Sequence, residues 1–247
     1  MINFVLIPGS WHDAAPFDPV VSHLEAKGHR AVALTLAGHG KGTEKKGITH
    51  DDCVKTVTDY LVQNDARDVV LMGHSFGGSI ISRVAQAVPE RIKRLIFWNA
   101  FVLNDGESLM DAVPQHYRDL FEGLAAASGD DTVTLPFPIW REAFINDASL
   151  ELAQETYDRL SPEPLQPLRD KLDLKTFYEL IQSGKIACSY INCTEDIALP
   201  QGPDTGWHPR MSNRLGLFRL VQMPGSHEVC FSDPIGLGDA LIAAGRD

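Results

Sequence analysis

Asp68-Val69-Val70-Leu71-Met72-Gly73-His74-Ser75-Phe76-Gly77-Gly78 is the stretch that decides how this chain reads. A short apolar run, DVVLM, enters it, and GSIISRVAQAV leaves it with the composition of a helix over Gly77–Val88. Glycines two residues either side of Ser75 are what a sharp strand-to-helix turn needs, because side chains there would fill the space the turn closes. Such a turn lifts the serine oxygen above the sheet edge and aims the positive end of the following helix at it. The five letters G-x-S-x-G can arise by chance around an inert serine. The strand running in and the helix running out mark this copy as a nucleophile elbow.

Outward from the elbow, strand and helix signals alternate. Ile2–Ile7, Arg30–Leu34, Asp68–Met72 and Arg94–Trp98 read as buried strands, with Pro8-Gly9 closing the first. Pro16–Lys27 carries a helical stripe, Phe17, Val20, Val21 and Leu24, ended by Gly28. Thr49 with Asp52 three residues on predicts a capped helix whose buried face holds Cys53, Val57, Tyr60 and Leu61. The rhythm breaks after Asn99. From 104 to 184 there are helical fragments, punctuated by Pro136, Pro138, Pro162, Pro164 and Pro167, and no convincing strand. A bare loop of that length does not suit a compact domain, so the segment predicts a helical cap inserted over the active edge. Strands resume at Lys185–Asn192 and Leu217–Gln222, and a helix from about Asp233 to Ala244 closes the chain. The expectation is an α/β fold: a mostly parallel sheet of about six strands with helices on both faces. Residues 1–103 and 185–247 form the core, and 104–184 the cap.

Composition bounds the function. The 247 residues, 44% hydrophobic and 22% charged, belong to a globular chain able to bury a two-sided sheet. A formal charge of −11 disfavours nucleic acid, whose phosphates reward a basic face. Cys53, Cys188, Cys193 and Cys230 form no CxxC pair and lack metal spacing, so they read as reduced, small hydrophobes, and neither metal nor cofactor is implied. The start MINFVLIPGS reads as a first strand rather than a signal peptide, and no apolar run approaches the roughly 18 residues a membrane span requires. These features predict a cytoplasmic protein with no membrane partner; a homodimer is compatible with them.

A serine hydroxyl needs a base. His227, in Pro224-Gly225-Ser226-His227 just past the last strand, is the expected one, ahead of His116 in the cap and His208 before that strand. The acid is expected after Lys185–Asn192, where Glu195 and Asp196 are adjacent. Asp196 is preferred as the acceptor of the His227 Nδ1 proton, with Asp105, after Arg94–Trp98, as the alternative. Two converging amides should hold an oxyanion: that of Phe76 and that of Ser10 in Pro8-Gly9-Ser10-Trp11, where Gly9 allows close backbone approach. Trp11 and His12 are expected at the pocket mouth, with Gly9 beside them in the pocket. Trp140, together with Phe137, Phe144, Tyr157 and Phe177, is expected either to line the pocket or to form a core within the cap.

Five segments, FVLIPGSWH, LEAKGHRAVALTLAGHG, VVLMGHSFGG, CTEDIALP and PGSHEV, resemble the plant methylesterase and hydroxynitrile lyase branch of the α/β-hydrolases, across nearly the whole chain outside the cap. The resemblance implies the α/β-hydrolase fold, with the aspartate of the CTED run, Asp196, as triad acid and Ser10 as an oxyanion donor. Departures also carry meaning. Pro8-Gly9 stands where the family commonly has His-Gly. The lyases resemble one another in a threonine at the Gly9 position and a lysine after the catalytic histidine, where this chain has Glu228. A carboxylate there opposes a cyanide leaving group. The WHD run is similar to that of cofactor-free quinolone dioxygenases, which carry a histidine where this chain has Phe76. The expected activity is hydrolysis of a small carboxylic ester or lactone through an acyl-enzyme on Ser75. The alternatives are a cofactor-independent dioxygenase or lyase using His227 and Asp196 as a base dyad, and a non-catalytic small-molecule binding protein.

Overall fold

The computed structural model describes residues 1–247. Six strands, β1 (Asn3–Ile7), β2 (Arg30–Ala33), β3 (Val69–His74), β4 (Ile92–Trp98), and, beyond a second small ladder, β7 (Ala187–Cys193) and β8 (Phe218–Met223), form one sheet in the order β2-β1-β3-β4-β7-β8. Every pairing in it is parallel. The small ladder joins β5 (Thr132–Val133) to β6 (Glu163–Pro164). The chain reverses its direction of travel across the sheet between β1 and β3, so the loops after these two strands diverge around a crevice at their carboxyl ends. That crevice brings Ser10 and Ser75 together.

Period-two alternation splits the sheet's side chains between two cores. Val5, Ile7, Val69, Leu71, Leu95 and Phe97 face one side. Phe4, Leu6, Val70, Met72, Ile96 and Trp98 face the other, packing against α1 (Asp18–Ala26) and the C-terminal helix Pro234–Gly245. Helices α2 (His50–Gln63) and α3 (Gly77–Ala87) cover the first side. The predicted cap of α2 is present in full: Thr49 accepts from the Asp52 amide and Asp52 from the Thr49 amide. β3 runs two residues past the expected end at Met72, because Gly73 and His74 still pair with Phe97 and Trp98.

The segment 104–184 is mainly helical, with helices at Gln115–Ser128, Leu150–Tyr157 and Lys175–Gln182 and a π-helical turn at Trp140–Phe144. Two expectations are corrected. Strand pairing does occur there, in β5 and β6, two residues each and too short to leave a period in the sequence. Nor does the segment keep a core of its own: Phe121, Trp140, Leu165 and Phe177 belong to the same buried cluster as Ile7, Leu71 and Phe97. Pro138 and Pro167 sit in first turns of short helices, where the missing N–H costs nothing.

Candidate active site

Ser75 sits between β3 and α3 with φ +51°, a left-handed conformation that costs a non-glycine residue about 1–3 kcal/mol and persists where its surroundings enforce it. Its surroundings do so by close approach. A Cβ on Gly77 would lie 2.8 Å from the carbonyl oxygens of Ile7 and Pro8, and a Cβ on Gly9 would lie 2.9 Å from Ser75 Cβ. The elbow and the β1 loop are therefore in backbone contact, which no residue larger than glycine permits. The amides of Ser10 and Phe76 have no acceptor within the protein. Both Ser10 and Ser75 border the same cavity.

His227 and Asp196 are brought together from the ends of β8 and β7: Nδ1 lies 2.6 Å from Asp196 Oδ2, both groups buried. Asp196 Oδ1 accepts the Ala198 amide at 2.8 Å. Burial pulls the His227 imidazole down, but the charge and hydrogen bond of Asp196, with Glu228 adding, hold it above the ordinary histidine value. His227 and Ser75 border the same cavity, and no hydrogen bond joins Ser75 Oγ to the ring. Glu195, the neighbour, is exposed. Asp105 is elsewhere: its Oδ1 accepts the amide of Leu174, the residue just before the helix Lys175–Gln182, at 2.9 Å. His208 pairs with Ser212 and His116 packs on Tyr117, and neither borders the cavity that Ser75 lines.

The cavity measures about 390 Å³ including its open mouth. Trp11 lines it as expected, and so does Phe144, with Phe101, Leu109, Tyr117, Phe121, Leu168 and Trp207. The other expected lining residues, Gly9, His12, Phe137, Trp140, Tyr157 and Phe177, do not. His12 is buried, its Nε2 3.2 Å from Glu228 Oε2. Trp140 is fully buried, its indole N–H given to Ala153 and Thr156, so it backs Phe144 rather than facing a ligand. Phe177 packs on Phe97 of the sheet, and Tyr157 is tied through its hydroxyl to Leu135.

Some of the arrangement escaped the sequence. Asn99, at the end of β4, donates to Asp196 and accepts the Cys193 amide at 2.8 Å. Its place at a strand's carboxyl end was the available signal. Trp207 lies flat on His227, centroids 5.1 Å apart and planes 15° apart, from a long irregular loop that offers no pattern. Behind His227, His74 stacks on Trp98 at 3.9 Å, and His74, His227 and Glu228 carry ligand-type atoms within 4.8 Å of one another. Burial raises the Glu228 carboxyl, but His12, His74 and His227 outweigh it and hold the group at about 2. His227 Nδ1 is already committed to Asp196, so this cluster reads as the packed support of that histidine.

An elbow serine, a buried histidine–carboxylate pair and two amides without an acceptor in the protein, with Ser10, Ser75 and His227 bordering one cavity on a six-stranded parallel sheet, define an α/β hydrolase. The chain belongs to the Alpha/beta hydrolase family, whose model matches residues 4–237. A solved extracellular α/β-hydrolase from a Paenibacillus species, described as sharing structural and functional homology with tobacco salicylic acid binding protein 2, is 45% identical over 100% of both chains, with a TM-score of 0.95. The carbendazim hydrolyzing esterase of Nocardioides sp. (strain SG-4G) is 32% identical over 58% of this chain and 62% of its own length. Salicylic acid-binding protein 2 of Nicotiana tabacum is 27% identical over 97% of this chain and 95% of its own. Plant methylesterases are also among the relatives, so the resemblance read from the motifs holds, and the chain is an ester-cleaving α/β hydrolase. No helix is long and apolar enough to cross a membrane.

Proposed function

We propose that the protein hydrolyses small, uncharged carboxylic esters or lactones whose acyl part is apolar and of aromatic size, through an acyl-enzyme on Ser75. The observation that carries this is the single cavity onto which Ser75 and His227 open. Its lining has no lysine or arginine to hold an anionic substrate, and its other walls are aromatic and aliphatic. Tyr117 supplies a hydroxyl that burial pushes up to about 12, so it stays neutral. Relatives named for carbendazim and salicylic acid support a planar ring in this space.

In this reading Ser75 Oγ attacks the carbonyl carbon while its proton passes to His227 Nε2. Asp196 stabilises the imidazolium, and the amides of Ser10 and Phe76 hold the oxyanion. The carbon–oxygen bond to the alcohol breaks as His227 returns the proton to the departing oxygen. Water, deprotonated by His227, then attacks the acyl carbon and Ser75 leaves as the restored hydroxyl. Four free, buried thiols support a reducing, cytoplasmic setting. The Paenibacillus neighbour is described as extracellular, and fractionation of producing cells decides between the two.

Hydrolysis of p-nitrophenyl esters by the wild type, with Ser75→Ala as control and a serine-directed phosphonate as label, tests the proposal. Labelling at Ser75 and loss of activity in the folded alanine variant are expected. Unchanged activity in that variant, or labelling at another residue, overturns it.

A further inference from the structure

Every polar group of Trp11 is held by the segment that covers the site. Its amide donates to Glu163 Oε2 at 2.8 Å, its indole N–H to the Val133 carbonyl at 2.9 Å, and its carbonyl accepts the Ser161 amide at 3.0 Å and the Ser161 hydroxyl at 3.3 Å. These partners lie on or beside β5 and β6. Trp11 needs such holding, because φ is +67°, a conformation that a bulky residue abandons unless its neighbours over-determine it. Ser10, the residue before it, carries the free amide beside Ser75.

Glu163 is the centre of this grip. It is fully buried, and it also meets His39 Nε2 at 3.1 Å, while His39 Nδ1 is given to the Ala37 carbonyl at 2.9 Å. Burial pulls the His39 imidazole down, yet the Glu163 carboxylate holds it up at about 10. A buried carboxylate with a compensating cation on one side and a backbone amide on the other is a fixed post. With the Trp11 amide turned to that post, Ser10 N–H is the amide left unpaired next to the nucleophile.

We infer that Glu163 is a positioning residue for catalysis: through Trp11 it fixes the loop whose Ser10 amide receives the oxyanion. The covering segment is thereby built into the oxyanion hole as well as over it. The inference rests on the serine-hydrolase reading above.

The test compares Glu163→Ala and Glu163→Gln in the full chain, with p-nitrophenyl acetate as substrate. Phenyl trifluoromethyl ketone serves as a mimic of the tetrahedral state and phenylacetamide as a ground-state ligand. Glu163→Ala removes the acceptor. It is expected to lower kcat about 10–100-fold, below the ~10²–10³ lost when an oxyanion donor is deleted. KM should stay within about twofold, and the ketone should weaken by the same factor as kcat while the amide keeps its affinity. Glu163→Gln keeps an oxygen for the Trp11 amide and offers its NH₂ to His39, so it should stay within about threefold of wild type. Ser161→Ala, which removes the hydroxyl contact to the Trp11 carbonyl and the acceptor of the Gly40 amide, gives the same pattern at a few-fold scale and serves if Glu163→Ala does not fold. Unchanged ketone affinity in the folded variants, or equal weakening of ketone and amide, overturns the inference. A wild type that fails to acylate at Ser75 is a different result, and it removes the hydrolase reading itself.

Discussion

Asn99 donates its side-chain amide to Asp196 Oδ2, the same oxygen that His227 Nδ1 approaches at 2.6 Å. The carboxylate is therefore aimed by a residue from the neighbouring strand end, and Asn99 fixes the β7 end in turn by accepting the Cys193 amide. Asn99 itself adopts φ +34°, which asparagine tolerates better than most residues. Asn99→Ala leaves the Cys193 amide without an acceptor inside the protein, a cost of about 1–3 kcal/mol. We expect a lower Tm and a kcat reduced on the order of tenfold. A variant with wild-type kcat would show that Asp196 holds its orientation unaided.

The two aspartates that compete in the sequence give opposite expectations. Asp196→Asn replaces the acceptor of His227 Nδ1 by an amide and favours the wrong tautomer, so kcat should fall by at least about 10²-fold. Asp105→Asn touches only the cap helix through Leu174, and its kcat should stay near wild type with a modest loss of Tm. Steady-state kinetics on one chromogenic ester compares them directly; the reverse ranking would move the acid.

Gly9 tests the contact between the β1 loop and the elbow. An alanine Cβ would stand 2.9 Å from Ser75 Cβ and 3.1 Å from His74 Nδ1, so the loop must retreat by a few tenths of an ångström. Since Ser10 follows in that loop, Gly9→Ala should cut kcat by about tenfold or more while KM changes less. Equal kcat in the two proteins would mean that the loop position is not rate-determining.

The pH profile follows from the raised His227. The residue must be neutral to accept the Ser75 proton, and its folded value lies above the usual 6.5, so kcat/KM should rise with a midpoint above pH 6.5. Glu228 raises His227 by its charge. Glu228→Gln removes that contribution, and the acid limb should shift to lower pH, with activity at high pH little changed. A limb that stays in place would show that Asp196 alone sets the histidine.

Local sequence determined the parts of this protein that depend on local chemistry. The elbow at Ser75, the six strand runs and the Thr49–Asp52 cap are written in residues a few positions apart, because turns, caps and sheet faces are short-range demands. Chain order along the fold also pointed to His227 and Asp196. Partnerships between distant residues were left to the tertiary structure. Asn99 and Asp196 are 97 positions apart, and Trp11 and Glu163 are 152 apart, so no spacing links them. Packing likewise decided that Trp140 backs the cavity wall, that His12 pairs with Glu228, and that Asp105 holds a helix. A side chain's facing is set by what fills the space beside it, and the sequence of its own segment does not contain that.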